Sequence, residues 1–545
     1  MRPEKLDRPV GTSPKSPTLP FASAMKLTTT RISRPVRLAA LGLLLTVGAA
    51  GCKDFLEVAP QGQLTEDQIK TDPTAAQRLV DGVYNVMYLG GFGEDIHGLQ
   101  YVILTDIASD DADKGSTPND YGPALEVDNF TLNSTNSIVN NTWKGYFQGV
   151  NRANQALDKI PLSPAPEATK NRLIGEVRFL RGYFYFNLVR FFGGVPKLDR
   201  VPTASEINNP ALQKRATAAE IYQFIIDDLQ FAVDNMPPKG AAETTTGRAT
   251  KAAAQAMLAK VYLYQKNYQK AFELSNEIIA GRSGNYGLLA SYENIWREAG
   301  ANSEESVFEV QTGINAACNN SAVNLYAVSQ GPRAGGRGGW ADLGFGFNNP
   351  TQQLADAYEP NDRRRAGTII FIQPTAPAGQ RSTGTVLWDG FRIPSKDSVE
   401  NLRYSYKAYH SRTQEKNCGN NDYLPKNIRV MRYGEVLLIN AEAAFRIGNS
   451  GAALTQLNRV RTRAGLPART ALTLPLIWQE RRVELALEHD RFFDLVRQES
   501  EQPGRIVPLF AAQGKTFNRG KNELFPIPQE QIDLSGGQLT QNPGY

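Results

Sequence analysis

The feature that most constrains this chain is a helix hairpin that occurs twice, far apart in the sequence. Residues 251–281 read as two short helices separated by Gln265-Lys266-Asn267. Leu258, Ala259, Tyr262 and Ala271 fall there on the small and large positions of a tetratricopeptide unit, which is roughly 34 residues long. Residues 434–465 repeat the plan with Leu437, Ala441, Ala444, Ala453, Leu457 and Val460. Small side chains let paired helices approach, and larger ones fill the groove between them. One such unit cannot bury its apolar face alone, so the copies must stack. Gly182 and Tyr185 suggest a third, more degenerate copy. Because the copies are dispersed, the expected architecture is mostly α, a scaffold of helix pairs interrupted by insertions.

Helical spacing of apolar residues recurs over Thr74–Met87, Asn136–Ile160 and Glu167–Phe192. In the second of these, Trp143, Phe147, Val150, Ala153, Asn154 and Leu157 share one face. Thr217–Met236 opens on a Thr cap with Glu220 three residues on, a capping box, and Pro237-Pro238 ends it. The largest interruption is 312–427, rich in Gly, Asn, Pro and Tyr and including Gly335-Gly-Arg-Gly-Gly-Trp340. A stretch this long is functional or disordered. Its aromatics, Tyr326, Trp340, Phe345, Trp388 and Tyr406 among them, argue against disorder.

The N-terminus has its own logic. Arg31, Arg34 and Arg37 precede an uncharged apolar run from Leu38 to Gly51, which ends in Ala49-Ala50-Gly51 before Cys52. That is a basic region, a short apolar core and a small-residue cleavage site, with a cysteine placed to receive a diacylglycerol. The run is shorter than the ~20 residues a spanning helix needs. Residues 1–51 are therefore expected to be a leader and lipoprotein signal peptide, with Met25 as a more natural start than Met1. Residues 52–70 are expected to be a lipidated tether.

Removing the signal changes the charge. Residues 1–51 hold eight Lys/Arg against two Asp/Glu, so the whole-chain net of +5 becomes −1 over the remaining 494 residues. Nucleic-acid binding, which needs an excess of Lys/Arg to neutralise phosphates, has no support. Beyond Cys52 only Cys318 and Cys418 remain, either a disulfide in an oxidising compartment or two free thiols.

Candidate chemistry is sparse. Asp106, Asp110, Asp111 and Asp113 with Gly115 suggest a calcium loop, but the EF-hand spacing fails, leaving a helix end with solvated carboxylates. Glu480, Glu484 and Glu488 stack at i, i+4 and i+8 beside Arg481, Arg482 and Arg491. A glycosidase needs two carboxylates across a cleft, so an ion-pair network is the better reading. His97, His410 and His489 sit in no metal or nucleophile motif. The nucleophile-elbow, zinc-protease and phosphate-loop patterns are absent, so no enzyme, cofactor or metal is expected.

Several blocks then line up with one family. They are Cys52-Lys-Asp-Phe-Leu-Glu57, Gly175-Glu-Val-Arg-Phe-Leu-Arg-Gly-Tyr-Phe-Tyr-Phe-Asn-Leu-Val-Arg-Phe-Phe-Gly-Gly-Val-Pro196 and Glu304-Glu-Ser-Val-Phe-Glu-Val-Gln311. Towards the end come Ile428–Glu442, Asn458-Arg-Val-Arg-Thr-Arg-Ala-Gly-Leu466, Glu480–Glu488, Asp490–Arg497, Pro526-Ile-Pro528 and Gln541-Asn-Pro-Gly-Tyr545. Together they resemble the SusD/RagB family of nutrient-binding outer-membrane lipoproteins. The resemblance implies a single SusD-like domain over 71–545 with a loop-rich insertion at about 312–427. It also implies lipidation at Cys52, a surface-export signal at Asp54 and Glu57, and a place as lid on a SusC-like TonB-dependent transporter in the outer membrane, facing outward.

The function expected is capture of an oligomeric nutrient, an oligosaccharide first among candidates, with no chemistry performed. Sugars present CH faces and hydroxyl rims, so a site needs aromatic platforms beside amide, carboxylate or guanidinium groups. Trp340, Tyr326, Tyr121 and Arg333 are the candidates. Two rivals stand beside this reading: a surface glycan hydrolase whose carboxylates converge from separate loops, and a tetratricopeptide adaptor that binds protein segments.

Overall fold

Two long helices set the frame, α2 (Ser137–Lys159) and α3 (Glu167–Phe192), with the shorter α1 (Ala75–Tyr84) packed against both. They approach closely because glycine stands at the crossing: a Cβ on Gly149 would lie 2.7 Å from the Phe184 ring. On the far side of α3 lies α4 (Ala218–Asn235), where a Cβ on Gly182 would come within 3.2 Å of Leu229. The capping box is present, Glu220 N donating to Thr217 Oγ1 at 3.2 Å and Thr217 N to the Glu220 carboxylate at 2.8 Å. The computed structural model describes residues 64–206, 209–312, 323–334, 343–375, 377, 383–416 and 423–545.

The two hairpins are α5 (Lys251–Tyr264) with α6 (Tyr268–Ile279), and α7 (Tyr433–Arg446) with α8 (Ser450–Arg463). Their turns match residue for residue. Lys266 and Gly448 both adopt a positive φ, and Asn267 and Asn449 each cap the following helix through the side-chain oxygen. α6 packs against α7, so the hairpins stack although more than 150 residues of other structure separate them. Helices α2 to α7 thus form one row in which each packs on the next. Glu66–Tyr545 is one compact unit.

The stretch between α6 and α7 leaves and returns through one ladder. Strand β2 (Ser306–Val310) pairs antiparallel with β8 (Ile428–Arg432), which closes the base of the insertion. β1 (Ala112–Gly115) pairs with β3 (Phe347–Pro350) and ties the insertion to the segment before α2. Inside it, β4 (Ile369–Phe371) pairs with β7 (Arg403–Ser405), and β5 (Thr385–Val386) with β6 (Arg392–Ile393). These strands gather a small separate core around Ile370, Ile393, Tyr404 and Tyr409. Trp388 and Tyr406 belong to it, their rings 4.5 and 4.4 Å from the Arg297 guanidinium.

The charged helix ends are interior. On α9 (Leu474–Leu485), Glu484 is fully buried and meets Arg432 at 2.6 Å and Arg364 at 3.0 Å, with Arg463 also in contact. Glu480 pairs with Arg364 at 2.7 Å and Arg461 at 2.8 Å, and Glu488 with Arg432 at 2.7 Å. An ion-pair network is present as the spacing implied, but the helix ends before Glu488, and the guanidinium partners are Arg364, Arg432, Arg461 and Arg463 rather than the neighbouring Arg481, Arg482 and Arg491. The aspartates upstream correct the expectation of solvated carboxylates. Asp110 lies 2.7 Å from Arg491 and 3.0 Å from Arg482, and Asp111 2.7 Å from Arg482, all buried or nearly so. Their counter-charges stand some 370 residues downstream, beyond the reach of any local pattern. Among the described residues, no group of three or more His, Cys, Asp or Glu could hold a metal ion, and no helix is long and apolar enough to cross a membrane.

Candidate functional site: an exposed phenylalanine and a half-buried tyrosine beside an ion pair

The loop Gly90-Gly91-Phe92-Gly93 is pinned rather than loose. Gln100 Nε2 donates to Gly91 O at 2.9 Å and to Gly93 O at 2.8 Å, and Asn141 Nδ2 donates to Phe92 O at 3.0 Å. The buried Asp95 carboxylate accepts from Gly98 N and Gln100 N, at 2.8 and 3.1 Å, closing the turn that follows. Two glycines are required because Asn324 presses on the backbone: a Cβ would sit 2.6 Å from Asn324 O at Gly90 and 2.9 Å from its Nδ2 at Gly91, where φ is +111°. The result is a fixed loop whose tip, Phe92, leaves 61% of its surface exposed.

Phe92 stands edge-on to Tyr121, ring centroids 5.3 Å apart, and Tyr121 meets Phe347 of β3 in the same way at 6.5 Å. Tyr121 is held in a left-handed conformation, φ 48°, just before a short helix. Burial pushes its hydroxyl up to about 12, so it stays a neutral donor and acceptor at physiological pH. The residue before it, Asp120, is ion-paired to Arg333 and accepts from Ser116 Oγ at 2.7 Å. That hydroxyl, with Thr117 and Arg333 beside it, holds the Asp120 carboxyl below its usual range. Arg333 also donates to Ser116 Oγ at 2.6 Å, and both members of the pair stay part-exposed. One surface therefore offers two aromatic rings beside a guanidinium and a carboxylate, the combination that suits a sugar ring and its hydroxyls.

Of the residues expected from sequence, Tyr121 and Arg333 are brought together through Asp120. Tyr326 is half-buried, and its hydroxyl is taken by His489 Nε2 at 3.1 Å. His489 Nδ1 in turn faces Asp106 Oδ2 at 2.9 Å. A hydroxyl, an imidazole and a carboxylate in line resemble a nucleophile relay, but the adjoining cavity measures about 20 Å³, room for one water and no substrate. Trp340, Cys52, Cys318 and Cys418 lie outside the described residues. Phe92 was missed. The signal was present, since Gly90-Gly-Phe-Gly93 flanks an aromatic with glycines just as the segment before Trp340 does.

Comparison with known proteins agrees with this architecture. Residues 291–545 match the model of the SusD family, and residues 54–263 match a model described as starch-binding, associating with the outer membrane. SusD-like protein P2 of Formosa agariphila is 29% identical over 528 residues, 92% of this chain and 98% of the relative. A SusD-like protein of Bacteroides ovatus is 25% identical over 530 residues, covering 91% and 89%. The solved structure of a laminarin-binding SusD-like protein superimposes with a TM-score of 0.71 at 29% identity, over 87% of this chain and 99% of that one. The fold is thus the mostly α, helix-paired architecture of SusD-like proteins. The chain belongs to the SusD/RagB family.

Proposed function

We propose that this protein captures an oligosaccharide at the Phe92–Tyr121–Arg333 surface, leaves it chemically intact, and passes it to a SusC-like TonB-dependent transporter. Cys52 carries the lipid that holds the protein to the outer membrane, facing outward. The observation that carries the reading is the pinned loop that exposes Phe92 edge-on to Tyr121 next to the Asp120–Arg333 pair. The laminarin-binding relative and the starch-binding family description support a glycan as the ligand. Trp340 is a further stacking ring for the glycan in this reading, and Tyr326 lends its ring edge while His489 holds its hydroxyl.

The test is calorimetric titration with laminarin and with starch oligosaccharides. Truncating an anchoring ring costs about 2 kcal/mol, some thirtyfold in affinity. Phe92→Ala should therefore weaken binding by that factor and leave the melting temperature almost unchanged, and the bound glycan should be recovered uncut. Trp340→Ala should do the same, whereas lowered stability with full affinity would make that ring structural. Cleavage of the glycan would favour a hydrolase. Absence of any saturable glycan binding, with a protein partner retained, would favour an adaptor.

A further inference from the structure

A groove of about 520 Å³ runs along α2, bounded by Pro196–Leu198, the short helix Pro210–Gln213 and α10 (Gln529–Leu534). Phe147 lies half-buried in its floor, tilted against the Trp143 ring at 4.8 Å between centroids. Four amide side chains line it: Gln148, Asn151, Gln213 and Gln531. The volume falls within the range of sites that hold small molecules, roughly 300–1,000 Å³.

The groove is continuous with the Phe92 surface. Asn141, which holds Phe92 O, stands one turn before Lys144 on α2. Lys144 pairs with Glu94, two residues past Phe92, at 3.7 Å, and both line the groove. Phe147, Gln148 and Asn151 follow along that face, so Asn141 to Asn151 covers about 15 Å of helix. Leu198, Leu212, Leu534 and Leu539 also line it. Gln531 already donates to Asn140 Oδ1 at 3.0 Å, so Gln148, Asn151 and Gln213 are the amides that an apolar peptide or a lipid would leave without partners. Sugar hydroxyls both donate and accept, and match amides that do the same, while CH faces suit the Phe147 ring.

We infer that this groove is a second saccharide subsite, which takes the continuation of a glycan chain whose first units rest on Phe92 and Tyr121. The inference depends on the glycan-capture reading above, and chain length separates the two. With laminaritriose and laminarihexaose as probes in calorimetry on the full chain, the hexaose should bind about tenfold tighter than the triose. Gln148 and Asn151 are exposed, so the double variant Gln148→Ala/Asn151→Ala should fold and melt as the wild type. It should bring the hexaose down to the triose affinity and leave the triose untouched, and Phe147→Ala should act in the same sense. Equal affinity of the two sugars for the wild type, or an undiminished hexaose advantage in the double variant, would overturn the subsite and spare the capture reading. Failure of both sugars and of starch oligosaccharides to bind the wild type would instead overturn the capture reading itself.

Discussion

Arg432, the last residue of β8, and Glu484, near the end of α9, meet at 2.6 Å with their side chains 1% and 0% exposed. The pair joins the closing strand of the insertion to the C-terminal helices. Glu305, just before β2, lies 2.9 Å from the same guanidinium, so both strands at the base of the insertion are fixed to α9 through it. Removing one member of a buried pair leaves the other charge uncompensated, at about 3–5 kcal/mol. Glu484→Gln should lower unfolding stability by that amount in urea titration. A change under about 1 kcal/mol would show that the remaining carboxylates satisfy Arg432, Arg463 and Arg364 without it.

Acid should weaken the same interior. Burial alone would raise the Asp110 carboxyl, but Arg491 and Arg482 outweigh it and bring it down to about 2. Burial opposes ionisation of Glu484 too, and Arg463, Arg432 and Arg364 hold it far below the carboxylate range. In the unfolded chain these groups titrate near about 4. Their folded values are depressed, so the stability they contribute is complete above that pH and is lost as pH falls through it towards about 2. Melting temperatures should drop steeply below about pH 4, and Asp110→Asn should flatten part of that slope.

Lys426 should act in the same direction at higher pH. Burial, opposed by Glu415, pulls its ammonium down to about 7, and Nζ donates to Trp296 O at 2.5 Å. The unfolded chain keeps the proton up to about pH 10, so between about 7 and 10 it binds more protons than the folded protein. The contribution to stability therefore rises with pH across that window. Lys426→Met should remove the rise, read as the difference between wild-type and variant unfolding free energies at pH 7 and 9.5. Parallel curves would mean that Lys426 stays protonated in the fold.

Gly149 tests the approach of α2 to α3. Any Cβ there meets the Phe184 ring at 2.7 Å, in a place where backbone and ring are both held. Gly149→Ala should destabilise by about 1–3 kcal/mol through overpacking, despite the better helix propensity of alanine. A stabilised variant would mean that the Phe184 ring yields.

In the proposed reading Cys52 governs location. The mature chain should lack residues 1–51, carry acyl mass and partition into detergent, and Cys52→Ala should release it from the membrane. Detection of an unmodified Cys52 inside a longer mature chain would refute the anchor.

Local periodicity carried much of the fold. Glu167–Phe192 is α3 to the residue, Thr217 and Glu220 form their box, and the two hairpins stand where Ala259, Ala271, Ala441 and Ala453 placed them. These features depend on interactions within a turn or between adjacent helices, which spacing encodes. The ion-pair network was legible only on its acidic side, because Glu480 and Glu484 share α9 and Glu488 follows just past its end, whereas Arg364 and Arg432 come from the insertion and its closing strand.

The candidate surface was legible in part. Tyr121 and Arg333 were chosen by residue type, and what joins them, Asp120 and Ser116, follows from β1 pairing with β3 across more than 230 residues. Phe92 became a platform because Asn324, Asn141 and Gln100 grip its loop from three separate segments. The sequence by itself determined the helices and the repeat, and it supplied the expectation of a signal before Cys52 and of aromatic and charged side chains for a sugar. The tertiary structure alone decided which aromatics face solvent and which charges are buried. Burial is a property of everything packed around a residue, and no window of neighbouring sequence contains those partners.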